Sequence, residues 1–414
     1  MTSSKSSAAP PNARTLGVEL VVGELLSLPL MRENVFHSAK YLDGIIEKEV
    51  ADLLLVHRGE VIVVSIKAQE KPRDASATFR WATGAIDKAV RQVGGAYKTL
   101  STKDAWCVQA AHTARFRAGE LRPRHGLALV ESQFEMGIEV EPGLMERLRK
   151  VAPVSLMTIA DFVRLAAYLR TWRDLNSYLS ARANSIKGAD ASVVGAERPL
   201  FVYYTAACDS FAGCGGIADA KIVQAARPAA PAAAQRDRER AQAELLEKFI
   251  ERISDAGDVA IPDGEEALRQ FLPGVAEGTR ASLRDEFCDL TVQERAAVGE
   301  QVSVTCDATA KDDDVESMRY GAVRLPRFPE KLLLVVASKG TPHGEATVAG
   351  IDALIAGCVH YRRETGILLL ANQLDGAVHF SLGRVVEVHP TVEMTVRGVE
   401  LFGHVKPRKV KAAR

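Results

Sequence analysis

The chain has 414 residues, 47% of them apolar and 26% charged, and its 53 basic and 53 acidic side chains cancel. That apolar content supports real cores and a soluble, folded protein, and the neutral balance excludes general polycationic binding, so any polyanion contact must come from local patches. No run approaches the roughly 20 apolar residues that cross a bilayer, and six cysteines scattered from 107 to 358 without a CxxC pair argue against a zinc site and for a reducing, cytoplasmic setting.

Taken in chain order, residues 1–14 read as a disordered leader with no apolar segment of a signal peptide. A helical segment follows, with Val18, Leu20, Val21, Val22, Leu25 and Leu26 at helical spacing and Glu19 and Glu24 among them. Glu47–Gln69 is the most informative stretch. Leu53–Val56 and Val61–Val64 are continuous apolar runs, the pattern of strands buried on both faces. Arg58-Gly59-Glu60 is a turn signal between them. In the resulting antiparallel hairpin Asp52 and Lys67 meet at the open end, and Ser65, Lys67 and Gln69 share one side by alternation. An isolated Asp–Lys pair is most often an inert surface salt bridge. Glu49 changes that reading, because two carboxylates near one point suit Mg²⁺ (or Mn²⁺), which takes oxygen ligands.

The next helix carries Phe79, Ala82, Ile86, Ala89, Val93 and Leu100 at helical spacing and sets Trp81, Lys88, Arg91, Gln92, Tyr97 and Lys98 on the same segment. Packed on the sheet, it would bring Lys88, Gln92 and Arg91 toward the active edge. A plain solvated helix face accounts for any one of these as well.

The ordered set Lys48-Glu49-Val50-Ala51-Asp52-Leu53-Leu54-Leu55-Val56, then Ser65-Ile66-Lys67, then Trp81, Ala85-Ile86, Lys88, Gln92 and Gly95-Ala96 resembles the PD-(D/E)XK nucleases. Within that superfamily it is similar to a bacterial group with an S-x-K second motif. The resemblance covers residues 15–135 and extends to about residue 182 through Leu169–Leu179. It implies a restriction-endonuclease-like mixed sheet flanked by helices and a metal-dependent nuclease acting on DNA or RNA, in a defence or repair setting. It implies catalytic roles for Asp52, Lys67, Glu49, Glu19 and Gln92, a metal held by Asp52, Glu49 and the Ile66 carbonyl, and an acid from the first helix, Glu19 being favoured over Glu24. The departure is Ser65, where the superfamily has Asp or Glu. A neutral hydroxyl is a poor Mg²⁺ ligand, which keeps open a catalytically silent domain that binds nucleic acid or a partner protein.

Beyond the helix, Trp106–Ala111 and Gly126–Val130 read as strands that complete the sheet. The segment between them holds Arg115, Arg117, Arg122 and Arg124, a candidate nucleic-acid contact in which Arg115 and Arg117 lead, or else a solvated loop. Residues 136–226 read as a mainly helical extension. Pro142–Val151 is helical, Thr158 with Asp161 opens a helix over Phe162–Leu169, and Leu169–Leu179 continues it, with Asp174 and Tyr178 at the core edge.

Residues 227–240 form a linker by composition, leading into a helix at Ala241–Ile253. Asp307–Asp314 reads as an acidic loop. Residues 241–404 form a second α/β domain, with strand Leu332–Ala337, helix Val348–Tyr361, strand Gly366–Ala371 and strand Val378–Val388, and the strand–helix–strand order argues parallel pairing. Ser338-Lys339 has no acid before it comparable to Asp52, and His343, His360, His379 and His389 are assigned no chemistry. This domain is the candidate surface for a partner protein or a second copy. Residues 405–414 are a basic tail.

Overall fold

The computed structural model describes residues 13–26, 34–69, 74–109, 112–132, 136–137, 142–207, 209–226, 238–248, 250, 286–287, 289–326, 328–374, 377–385, 388, 391–403 and 408–409. The leader up to residue 12, most of the linker and most of the basic tail lie outside these residues, as does the far end of the helix expected to reach Ile253. The chain is α/β and divides into two compact units, residues 1–230 and 231–414.

The first unit opens with α1 (Ala13–Leu26), β1 (Val35–Asp43), β2 (Ile46–His57) and β3 (Glu60–Lys67). Arg58 and Gly59 alone make the β2–β3 turn, at φ 49° and 74°. Two consecutive left-handed residues match the twist of the flanking strands, so Glu60 already belongs to β3. After the hairpin come α2 (Ala75–Thr102), β4 (Ala105–Gln109), β5 (His112–Phe116) and β6 (Arg122–Val130). Arg115 therefore lies on a strand, and Arg122 and Arg124 lie on the next one.

The chain continues through β7 (Met136–Gly137), α3 (Pro142–Arg149), β8 (Val154–Thr158), α4 (Ile159–Ala166), α5 (Trp172–Ser185), β9 (Val193–Val194), α6 (Glu197–Ala206) and α7 (Ile217–Ala226). The main sheet is mixed, in the order β5-β4-β1-β2-β3-β6-β8. β2 and β3 are antiparallel, while β3, β6 and β8 run parallel.

The continuous apolar runs are explained by cover on both faces. Val61 and Val63 pack with Ile86, Val90 and Val93 of α2. Ile62, Val64 and Ile66 pack with Val22 of α1, Phe162 of α4 and Leu175 of α5. Each such side chain contributes about 1.5–3 kcal/mol on burial. Asp74 starts α2 by accepting a hydrogen bond from the Ala77 amide at 2.7 Å. Thr158 caps α4 as expected, taking the Asp161 amide at 3.0 Å. The expected continuation across Leu169–Leu179 is corrected: a second cap, Thr171, takes the Asp174 amide at 3.1 Å and starts α5 afresh.

His125 on β6 lies buried beside Ser180, Nε2 to Oγ 3.0 Å. Burial first, and the adjacent Arg124 charge second, push its pKa down to about 4 from 6.5. The folded state thus refuses a proton that the unfolded chain accepts. Stability from this group is complete above pH 6.5 and is lost as pH falls toward 4, by on the order of 3 kcal/mol. Urea midpoints for His125→Gln should be less acid-sensitive than wild type across that window, and parallel pH profiles would refute the assignment.

The second unit contains α8 (Val292–Ala310), β10 (Ser317–Arg324), β11 (Lys331–Lys339), α9 (His343–Tyr361), β12 (Thr365–Leu374), β13 (Ala377–Val385), α10 (Val392–Phe402) and β14 (Arg408–Lys409). Its sheet runs β13-β12-β11-β10-β14. β11 and β12 pair in parallel across α9, as the strand–helix–strand order predicted. The acidic stretch is not one loop: Asp307 belongs to the last turn of α8, and Asp312 pairs with Arg319 at 2.6 Å. Among the described residues no helix is long and apolar enough to cross a membrane.

Candidate active site

The β2–β3 ladder ends at the pair Leu53–Val64, which makes Asp52 and Ser65 the next residues facing each other. One residue past Ser65, the Ile66 amide finds the Asp52 carboxylate in place of a backbone carbonyl and donates to its Oδ2. Ser65 Oγ donates to the same oxygen at 3.1 Å, and Lys67 Nζ lies 3.3 Å from it. Lys67 Nζ also donates to the Ile66 carbonyl at 2.7 Å. Asp52 is 7% exposed, and a buried carboxylate requires such company.

Ser65 Oγ is also 2.9 Å from the Gln92 side-chain amide on α2. That contact is to Gln92 Oε1, so the single Ser65 proton is shared between the Asp52 carboxylate and the Gln92 amide oxygen. The helix thereby reaches the strand end through serine.

Beside Asp52 the β1–β2 register shifts at Ala39/Lys40, and Ser38 adopts φ 47°. In a regular strand, residues 49 and 52 point to opposite faces. The bulge breaks that alternation, and Glu49 comes within electrostatic reach of Asp52. Glu49 keeps solvent contact, yet its pKa is raised, first by desolvation and then by Asp52, against a Ser38 hydrogen bond and the Lys67 and Lys40 charges.

Glu19 on α1 is half-buried. Its pKa rises to about 7 through desolvation, then repulsion from Asp52 and Glu49, with Lys67 opposing. The three carboxylates expected from sequence therefore share one electrostatic site with Lys67.

The other expected residues fall at varied distances. Lys88 is exposed on α2 one turn before Gln92, on the same helical stripe. Arg91 binds Asp87 at 2.8 Å. Arg115 and Arg117 line a cleft with Trp106 and Phe116 at the β5 edge, three strands from β2 in the sheet order, or roughly 14 Å at the usual strand spacing. The structure does not bring those two arginines to Asp52. Gln69 turns away as well, its amide nitrogen toward Thr78 at 3.4 Å and its backbone N–H to Glu131 at 2.7 Å.

One positioning residue escaped sequence reasoning. Gly23, one turn beyond Glu19, lies so close to the His37 ring that a Cβ would overlap it. A glycine inside an apolar helical run was the available signal. Gly23→Ala should lift α1 from β1, cost about 1–3 kcal/mol and misplace Glu19. A wild-type melting temperature for this variant would disprove the close fit.

The donor set is all oxygen, which suits Mg²⁺ or Mn²⁺. The bonds to Asp52 among the described residues fall on Oδ2, leaving Oδ1 for a cation, with Glu49 as the second carboxylate. The Ile66 carbonyl is already engaged by Lys67. Among the described residues no group of three or more His, Cys, Asp or Glu is arranged to hold a metal ion. No protein-family model, curated protein or solved structure matches the chain.

Proposed function

We propose that the first unit is a divalent-metal-dependent nuclease of the PD-(D/E)XK kind, hydrolysing phosphodiester bonds in DNA or RNA in a defence or repair role. The observation that supports this best is the gathering of Lys67, the Ile66 amide and Ser65 on one oxygen of Asp52, with Glu19 and Glu49 close by. Three acids around one lysine leave surplus negative charge, which suits a cation and would otherwise repel a phosphate. Asp52 Oδ1 and Glu49 would hold the ion, which when bound would neutralise the phosphate and acidify a water.

The protein's own groups do the rest. Lys67, held against Asp52 and the Ile66 carbonyl, is positioned to donate to the attacking water or to the charge growing on the phosphate. Ser65 and Gln92 fix the Asp52 carboxylate from the helix side. Lys88, exposed one turn away, supplies backbone-phosphate contact. A cytoplasmic setting accords with this role.

A second reading, a silent domain that binds nucleic acid or a partner protein, is favoured by one specific observation. Ser65 spends its hydroxyl on Asp52 and Gln92 rather than offering a charged ligand. The experiment is cleavage of single- and double-stranded DNA and RNA with Mg²⁺ or Mn²⁺, comparing wild type with Lys67→Ala. The nuclease reading expects metal-dependent cleavage that the variant loses. No cleavage, with equal nucleic-acid binding by both proteins, would leave the silent domain.

A further inference from the structure

Glu49 stands at the inner end of a row of side chains that crosses the main sheet. Glu49 of β2 faces Lys40 of β1, Lys40 faces Trp106 of β4, and Trp106 faces Arg115 of β5. Direct cross-strand partners point to the same side of a sheet. The four side chains therefore form one line from Glu49 to the β5 edge, roughly 14 Å long at the usual strand spacing. Their face is the one turned away from α2, because Ala105 and Ala114, the chain neighbours of Trp106 and Arg115, pack with the α2 core. Val108, the next residue of that face on β4, is 71% exposed, so the outer end of the row is open to solvent.

Trp106 is the residue in this row that packing leaves unexplained. It is partly buried, yet it belongs to neither apolar cluster that flanks the sheet. It lines a cleft of about 1190 Å³ with Phe116, Arg115 and Arg117, above the roughly 300–1,000 Å³ that holds one small molecule. Arg115 and Arg117 are exposed, and among the described residues neither forms an ion pair. Asp104 and Glu120 share the cleft, but both are turned to backbone amides: Asp104 Oδ1 accepts from Ala118 at 2.9 Å and Glu120 Oε2 from Arg117 at 2.8 Å. Lys40 pairs with Glu47 at 2.9 Å, with both side chains in solvent, an attachment that a phosphate displaces at little cost. Charge along the row is nearly balanced, so the aromatic surface has to carry most of the affinity for a polyanion.

We propose that this row is a track for single-stranded nucleic acid, in which a base stacks on Trp106, Lys40 and Arg115 hold the flanking phosphates, and the strand is led toward Glu49. The track rests on the nuclease reading for what happens at its inner end, while binding along it is measured apart from cleavage. Every base has a face to stack, so the track tolerates any sequence. The base must have left its duplex, because a paired and stacked base offers the indole no free face. At a rise of ~3.4 Å or more per nucleotide, about four nucleotides or fewer cover the row.

The test follows the fluorescence anisotropy of labelled oligothymidylate and oligouridylate of about 12 nucleotides, within the usual site sizes, and of a DNA duplex of the same length. Each is titrated with the full chain in metal-free buffer, so that no strand is cut. The single strands should bind more tightly than the duplex. Trp106→Ala should weaken them by about tenfold or more, and Trp106→Phe should restore most of that loss. Arg115→Ala, a change at an exposed position that serves if Trp106→Ala does not fold, should weaken them and lower the salt slope by about 1. Binding of one single strand or both supports the track and names its sugar. Duplex bound as tightly as single strand, undiminished binding by the alanine variants, or no binding of any oligonucleotide overturns the track, whether or not the protein cleaves. Trp106-dependent binding by a protein that cuts nothing keeps the track and removes the nuclease.

Discussion

Asp52→Asn should eliminate metal-dependent cleavage while leaving the protein about as stable as wild type. The isosteric amide keeps an oxygen for the Ile66 amide and the Ser65 hydroxyl, the two neutral donors now converging on Oδ2. It removes the charge that faces Lys67 at 3.3 Å, and it also removes a charge that repels Glu19. Lys67 keeps Glu19 and Glu49 as neighbouring counter-charges, and the loss of the one and the relief of the other are opposite in sign. Activity should fall by at least about 10²–10³-fold, the usual cost of a preorganised electrostatic group. Asp52→Ala differs: it strands the Ile66 amide and Ser65, at about 1–3 kcal/mol for each orphaned group. Urea midpoints and cleavage rates for the pair separate the two roles. Asp52→Asn with wild-type activity would refute the site, and Asp52→Asn as unstable as Asp52→Ala would show that Asp52 is merely structural.

Glu197→Ala should be the most destabilising single change in the first unit. Glu197 and Arg182 are 2% and 3% exposed. Arg182 Nε lies 2.9 and 3.0 Å from the two Glu197 oxygens, and Tyr178 donates its hydroxyl to Glu197. Removing the carboxylate leaves a buried guanidinium whose remaining hydrogen-bond partner among the described residues is Ser155, at 3.4 Å. An uncompensated buried charge costs about 3–5 kcal/mol, or a Tm drop of about 10 °C for a unit of this size. The double replacement Arg182→Leu with Glu197→Leu should recover most of the loss, because the pair itself adds little over well-packed apolar side chains. A single variant that melts like wild type would show that the pair is not buried in solution.

The elements that read most clearly in the sequence were those whose pattern is local. Leu53–Val56 and Val61–Val64 announced a hairpin because both faces are covered. The α2 stripe from Ala82 to Leu100 announced a helix on one of those faces, and Leu332–Ala371 announced a parallel crossover. β1 and β10 hid, since His37-Ser38-Ala39-Lys40 and Ser317-Met318-Arg319 mix polar and apolar side chains without a run. Sheet order is not local at all, which is why the sequence did not show that Arg115 and Arg117 stand at the β5 edge, three strands from Asp52. The Glu49–Asp52 pairing was proposed on proximity in the chain, where strict alternation would have forbidden it; a bulge beside Ser38 supplies the missing step. Glu197 carries no local signal in the sequence, because its partner Arg182 lies fifteen residues earlier on another helix.

The Ile66 amide has a consequence for observing this protein at work. It is a single backbone proton bound to the central carboxylate. Its nitrogen and proton frequencies in solution should therefore follow the charge and occupancy of that carboxylate directly. A backbone resonance at one residue would report cation arrival, substrate arrival and product departure, with no label placed in the site.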